Sequence, residues 1–453
     1  MTRREFIGDG FAAFASLFGG RLFAAPLGWK HGGQPNLVFG VVSDTHLRTA
    51  NAGNGIALNW PDKYFVAALE YFKSRKVDAV VHCGDMAHRG QTRELEFHAE
   101  AWHRVFRDGR EPVKLFVAGN HDVEGSTYGD FVTKRYPDPD VRAKHVLATD
   151  MAANWERVWG EPYEPVWHKE VKGYHFFGRQ WGVDEGWFAS FLEAEKERCC
   201  LSEGVKPFFL LSHARPHSAL YKRVAKLRNA VSFFGHWHNS AANWNEIYMW
   251  GGPTIQCPSC EPRGVLALDG DGYIAHASLE GAEGAGLARQ GYVVRVYDDM
   301  LTIERREFGE GGSLGADWVM PLGRLAPHPL SKDELKKVIG EPQFRKGAKL
   351  EVVEEASASP CLRVRIPLAD GNPDSRVYAY EVVVIGETGS KKLFKAVYAA
   401  GCNMGIGHEP NKCVTTLEIP KAELPPGQSL TFAVRPLTSL GTSGKAIATE
   451  FKV

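Results

Sequence analysis

The sequence predicts an α/β domain followed by an all-β sandwich. Two patterns predict it. Through residue 308, short apolar runs alternate with longer stretches of helical spacing, and five of the runs stop at a short polar motif. Beyond residue 347, seven short segments alternate apolar and polar residues and are split by turns such as Ala369-Asp370-Gly371-Asn372 and Pro425-Pro426-Gly427. The first pattern reads as strands buried on both faces with helices between them. The second reads as a two-sheet sandwich.

In chain order, Leu37 to Val42 stops at Asp44-Thr45-His46, and Ala79 to His82 stops at Gly84-Asp85. Leu115 to Ala118 runs into Gly119-Asn120-His121-Asp122, Phe208 to Leu211 precedes His213, and Val231 to Phe234 precedes Gly235-His236-Trp237-His238. Ligands in α/β sheets gather beyond the carboxyl ends of strands, so one sheet edge should collect all these polar side chains. Helical spacing covers Lys63 to Arg75, Glu94 to Arg107 and Glu185 to Arg198, and Tyr292 to Arg306 reads as closing strands. Between Val123 and Trp181 lies an insertion with Trp155, Trp159, Tyr163, Trp167, Tyr174 and Phe176. We expect those aromatics to form a small satellite core rather than a pocket wall. The division that follows is 36–308, a connector 309–346 with a short helix over Lys332 to Ile339, and a strand-rich part 347–453. Its strands are expected at Leu350–Val353, Leu362–Ile366, Val377–Ile385, Leu393–Ala399, Val414–Ile419, Ser429–Val434 and Ala446–Val453.

The motif residues suit a pair of metal ions. Asp44 and His46 are two apart and in extended backbone would project to one side, and His236 and His238 repeat that spacing. Carboxylate, amide and imidazole donors without thiolate favour manganese, iron or zinc. Two such ions need a bridging carboxylate, for which Asp85 is the natural choice, and can hold a hydroxide for in-line attack on phosphorus. Each residue also has a bland reading: His213 satisfied at a strand end, Asn120 a turn former, Asp44 and Asp122 helix caps. The bland reading requires all of them independently, at matching strand ends.

Asp-x-His, Gly-Asp-x-x-His, Gly-Asn-His-Asp, a lone strand-end His and Gly-His-x-His, in that order, resemble the calcineurin-like metallophosphoesterase family over roughly Asn36 to Phe308. The resemblance implies a four-layer α/β/β/α sandwich. It implies one metal held by Asp44, His46, Asp85 and His238 and a second held by Asp85, Asn120, His213 and His236. His121 would be the catalytic histidine that is not a ligand, protonating the leaving group or stabilising phosphoryl charge. Arg89, Arg215, Trp237 and His88 are candidate substrate contacts, with His217 beside Arg215. At the position where related phosphatases carry an aspartate that orients the catalytic histidine, this chain has His88, so a carboxylate-supported His121 is not expected. A metal-ligating tyrosine is absent from that position too. The closing strands resemble a fibronectin type III or immunoglobulin-like module, which carries no function by itself.

Lys plus Arg and Asp plus Glu both number 54, giving zero net charge. With no basic run, an extended nucleic-acid surface has no support. Arg3-Arg4 ahead of the apolar stretch Phe11 to Phe18 resembles a twin-arginine export signal over residues 1–25; the stretch is shorter than the roughly 20 residues of a membrane span. An exported location would allow Cys402 and Cys413 to close the loop between them as a disulfide. Cys257-Pro258-Ser259-Cys260 has redox spacing without a second pair and reads as a bridge or two free thiols. The function expected is hydrolysis of a phosphoester, with monoester, diester, nucleotide, phospholipid head group and wall polymer left open. A non-catalytic binding protein on the same fold, or a surface binder acting through the sandwich, are the other readings; retention of every ligand position and of His121 favours the hydrolase.

Overall fold

The computed structural model describes residues 33–48, 63–123, 138–140, 150–201, 206–216, 220, 227, 229–249, 252–260, 279–280, 289–297, 300–309, 311–322, 330–355, 360–371, 376–405 and 415–453. The expected export signal, His217 and Cys413 lie outside these residues. Among the described residues no helix is long and apolar enough to cross a membrane.

The strands up to the second sheet are β1 (Leu37–Val42), β2 (Ala79–Cys83), β3 (Val113–Val117), β4 (Val166–Val171), β5 (Tyr174–Arg179), β6 (Phe208–Ser212), β7 (Ala230–Phe234), β8 (Ile247–Met249) and β9 (Pro253–Gln256). Next come β10 (Leu279–Glu280), β11 (Gln290–Val296), β12 (Met300–Glu307), β13 (Gly312–Ser313) and β14 (Trp318–Pro321). One sheet has the order β13-β12-β11-β1-β2-β3 with β14 also on β12; a second has the order β4-β5-β6-β7-β9-β8. The strands β1, β2 and β3 are mutually parallel, as are β5, β6, β7 and β9, so their carboxyl ends share an edge.

Alternation along β1 explains how the sheets pack. Leu37, Phe39 and Val41 point into the core between the sheets, and Val38 and Val42 point outward. Phe39 meets Phe176, Phe209 and Phe233 of the second sheet with ring centroids 5.4, 5.0 and 5.9 Å away. Burying such rings against one another contributes beyond simple area. On the outer face of the first sheet lie α1 (Lys63–Ser74), α2 (Thr92–Phe106) and, after the four-residue α3 (Asn120–Val123), α4 (Met151–Trp159). A Cβ at Gly40 would fall 2.6 Å from the Phe72 ring, so that glycine lets α1 approach β1. The outer face of the second sheet is covered by α5 (Glu185–Glu195), through Phe188, Ala189 and Leu192 against Phe177, Phe208 and Leu210.

The insertion divides. Trp155 and Trp159, with half-buried Tyr163, pack under α2, while Trp167, Tyr174 and Phe176 join the inter-sheet core. The expected connector 309–346 is also more integrated than its Gly and Pro content suggests: β13 and β14 pair with β12, and Trp318, Met320 and, from α6 (Lys332–Val338), Leu335 are buried in the main core.

Beyond it, β15 (Gln343–Phe344), β16 (Glu351–Glu355), β17 (Cys361–Ile366), β18 (Ala369–Asp370), β19 (Ala379–Gly386), β20 (Lys391–Tyr398), β21 (Thr415–Pro420), β22 (Ser429–Leu437) and β23 (Ile447–Lys452) make a strand-rich region. Sheets β16-β17-β21 and β10-β20-β19-β22-β23 share one core that includes Leu362, Val364, Leu417, Val382, Val384 and Phe432. Ala369 and Asp370, expected in a turn, pair instead with Phe344 and Gln343. Cys257 and Cys260 do not bridge: each is a buried free thiol in a separate core cluster, with the Cys257 Sγ 3.6 Å from that of Cys83. Cys402 is buried, and burial pushes its thiol up to about 12.

Candidate metal centre

Each motif sits on the loop just past its strand, but the backbone there is not extended. Asp44, His46, Asp85, His236 and His238 have φ of 51, 45, 56, 77 and 53°, in the left-handed region. This corrects the extended geometry expected for Asp44 to His46 and for His236 to His238. For residues with a Cβ such backbone costs about 1–3 kcal/mol each and persists where surroundings over-determine it. Here the loops do so. The N–H groups of Asp44, His46 and Leu47 donate to the carbonyls of Gly84, Asp85 and Met86 at 2.9, 3.0 and 2.9 Å, continuing the pairing of β1 with β2 past both strand ends. Thr45 turns away from its neighbours, its hydroxyl 3.1 Å from His82 Nε2 and 2.9 Å from His98 Nε2.

Asp122 is no helix cap alone. Its buried carboxylate accepts the N–H groups of Met86, Ala87 and Gly119 at 3.2, 2.7 and 2.8 Å, tying the loop after β2 to the loop after β3. Burial and then the charge of Asp85 push it up to about 6, against the pull of those three donors. The motif glycines leave room for side chains. A Cβ at Gly119 would lie 2.1 Å from Asp85 Oδ1, one at Gly235 2.6 Å from Asp44 Oδ2, and one at Gly84 2.5 Å from His213 Nδ1. Gly84 also holds φ 94°, which a side chain would strain.

The loops bring all seven candidate ligands together in two groups. In one, His238 Nε2 is 3.2 Å from Asp44 Oδ1 and 3.1 Å from His46 Nε2. In the other, Asn120 Oδ1 is 3.0 Å from both His213 Nε2 and His236 Nδ1. Asp85 Oδ2 stands between them, 3.6 Å from His46 Nε2 and 3.1 Å from His213 Nε2. Donors bonded to a common ion at about 2.0–2.2 Å lie roughly 3.0–3.5 Å apart, so this set fits two adjoining ions. At this edge the three-donor clusters that could hold a metal are Asp44, His46, His238; Asp85, His213, His236; and His46, His88, His121.

Outer hydrogen bonds orient the rings. A carbonyl can only accept, so His213 Nδ1 donates to Cys83 O at 2.7 Å and leaves Nε2 to the ligand cluster. His121 Nδ1 likewise donates to the main-chain carbonyl of His88 at 2.7 Å, leaving Nε2 4.0 Å from Asp85 Oδ2. The His88 ring stacks on that of His121, centroids 5.7 Å apart. Burial raises Asp44, but the charge and hydrogen bond of His238 outweigh it and hold the carboxylate far below its usual range. Burial lowers His213, but the charge and hydrogen bond of Asp85 dominate and push it up to about 9. Burial, then neighbouring imidazoles, keep His46 and His236 below their usual values.

The candidate substrate contacts are scattered. The Arg215 guanidinium lies 4.7 Å over the Trp237 ring and 5.6 Å over Tyr248, so Trp237 is paired with arginine beside the cluster. Arg89 is anchored through its backbone N–H on Glu94 Oε2, 2.8 Å. Trp181 was missed from sequence. Its ring is 5.6 Å from His213 and 5.5 Å from His236, and its backbone N–H donates to the Ala118 carbonyl at 3.1 Å. The usable signal was its position at the carboxyl end of β5, the same edge as the candidate ligands.

The calcineurin-like phosphoesterase family pattern matches residues 37–240. Among solved structures, a dimetal phosphatase from Danio rerio is 10% identical, covering 64% of this chain and 99% of its own, with a TM-score of 0.37. A predicted phosphoesterase from Streptococcus pneumoniae is 11% identical, covering 63% and 97%, with a TM-score of 0.28. A variant of Vps29 from Entamoeba histolytica is 11% identical, covering 64% and 100%, with a TM-score of 0.28. Comparison with curated proteins gives no match. Residues 37–240 of this chain are a calcineurin-like phosphoesterase domain.

Proposed function

We propose that the chain is a binuclear metal-dependent phosphoester hydrolase, built as a four-layer α/β/β/α sandwich with a C-terminal β-sandwich accessory domain and exported by the twin-arginine route. The observation that carries the catalytic reading is Asp85 Oδ2 poised between His46 Nε2 and His213 Nε2, 3.6 and 3.1 Å away. Asp44, His46, Asp85 and His238 would hold one ion, and Asp85, Asn120, His213 and His236 the other. Two manganese, iron or zinc ions there would supply Lewis acidity and lower the pKa of water.

The chain's own groups supply the rest. Asp85 accepts the His121 backbone N–H on Oδ1, 2.8 Å, which keeps Oδ2 directed at the imidazoles. His121, fixed through Nδ1, presents Nε2 toward the cluster and can carry a proton there for the departing alkoxide. Trp181 and the Arg215–Trp237 pair stand beside the same edge and would bound the substrate. The test is turnover of aryl phosphate monoesters and diesters by manganese-, iron- and zinc-loaded protein. Wild-type hydrolysis should fall in Asp85→Asn by more than the about 10–100-fold that loss of an outer partner costs a metal site. No turnover under any metal, or an unimpaired Asp85→Asn, would sink the proposal.

A further inference from the structure

A second group of metal-type donors lies on the outer face of the second sheet, away from the ligand edge. In the β4–β5 hairpin His168 faces Phe177 and Glu170 faces His175, so His168 and His175 are diagonal neighbours on one face. That face is the one α5 covers, since Phe177 packs with Phe188 and Leu192. Past the end of α5 the chain makes one more helical turn, with the Cys199 N–H donating to Glu195 O at 2.9 Å. Glu195 and Cys199 are therefore i and i+4 and point the same way. His168 Nε2 is 3.0 Å from His175 Nδ1 and 3.9 Å from Cys199 Sγ, and Glu195 Oε2 is 3.7 Å from Sγ. Around a tetrahedral zinc, bonds of about 2.0–2.2 Å to nitrogen and oxygen and about 2.3 Å to sulfur place neighbouring donors roughly 3.3–3.6 Å apart. The donor atoms of His168, His175 and Cys199 all lie within 4.8 Å of one another, and Glu195 adjoins that group through Cys199 and closes it by turning its carboxylate toward the imidazoles.

From this geometry we propose that His168, His175, Glu195 and Cys199 form a structural zinc site that fastens the β4–β5 hairpin to the end of α5. The donor set, two imidazoles, one thiolate and one carboxylate from residues on three elements, leaves no open position and so suits a structural ion. Binding displaces the Cys199 thiol proton to solvent and forms the zinc–sulfur bond, with no change of oxidation state. Arg198, whose Nη2 pairs with Glu195 Oε2 and is 2.8 Å from His168 Nδ1, has a side chain 61% exposed and releases both by turning into water. The consequence reaches the ligand edge through the hairpin: β5 leads into Gln180 and Trp181, and Gln180 Oε1 accepts the Ala118 N–H at 2.6 Å.

Cobalt(II) is the probe, because the ligands proposed for the dinuclear centre include no thiolate. A sulfur-to-cobalt charge-transfer band in the near ultraviolet then reports this site whether or not the chain hydrolyses phosphoesters. Full-length wild-type protein should give the band, and zinc should quench it and raise the melting temperature. Cys199→Ser should abolish the band and lower bound metal by one equivalent per chain, whereas Cys200→Ser should retain both. His175→Gln keeps the thiol and decides the matter if Cys199→Ser does not fold; it should weaken cobalt binding at least about 10-fold. A wild-type protein without the band, or a band that survives Cys199→Ser or an unweakened His175→Gln, would show that the four side chains form only a hydrogen-bonded cluster.

Discussion

His121 donates its Nδ1 proton to the main-chain carbonyl of His88, 2.7 Å away, and the two rings stack with an interplanar angle of 21°. The orienting acceptor is thus the backbone of the residue whose side chain departs from the aspartate of related phosphatases. A carbonyl fixes the ring as a carboxylate would, but brings no negative charge to stabilise an imidazolium.

His121→Ala should therefore lose about 10²–10⁴-fold in turnover, most for poor leaving groups, while keeping its metals. His88→Ala retains the orienting carbonyl and should leave the pH profile in place, and His88→Asp should move the limb controlled by His121 to higher pH. Rate profiles against pH and leaving-group pKa check all three variants. Equal activity of His121→Ala on good and poor leaving groups would remove its role in proton transfer.

Metal binding should release at least one proton. In metal-free protein His213 is pushed up to about 9, so below that pH it is protonated and must lose the proton to offer Nε2. His46 and His236, held low, are already neutral. Affinity should rise with pH up to about 9 and level off there. Calorimetry near pH 7 in buffers of different ionisation heat gives the proton count, and binding without proton release would contradict the assignment.

Asp122→Ala would leave three buried N–H groups, those of Met86, Ala87 and Gly119, without their acceptor. An unsatisfied buried donor costs about 1–3 kcal/mol, so denaturant unfolding should show a loss of at least about 2 kcal/mol, along with weaker metal binding. A loss within about 0.5 kcal/mol, ordinary for a surface change, would show that the loops do not depend on this carboxylate.

Export is tested by Arg3→Lys with Arg4→Lys, which should hold the precursor in the cytoplasm. Normal secretion of the doubly substituted chain would argue for another route.

Strand positions were legible because β1, β2, β3, β6 and β7 are mostly apolar and each is followed by a polar motif. The residues gathered at the shared strand-end edge were legible by type and order. Their backbone was not: the left-handed φ of Asp44 and His46 follows from pairing with the loop after β2, a contact remote in sequence. Asp122 and Trp181 escaped for the same reason, since each acts through backbone groups of other loops. The connector was misjudged because Gly and Pro signal turns but do not reveal that Trp318 and Met320 alternate into the core. His168, His175 and Cys199 carry no motif; a cross-strand diagonal and a helix end bring them together.

The central claim is that Asp85 joins two metal sites. Anomalous diffraction from crystals of the manganese-loaded protein tests it most directly. Two peaks about 3.5–4 Å apart on either side of the Asp85 carboxylate are predicted, one near Asp44, His46 and His238 and the other near Asn120, His213 and His236. A single peak, or peaks that leave Asp85 unliganded, would contradict the account.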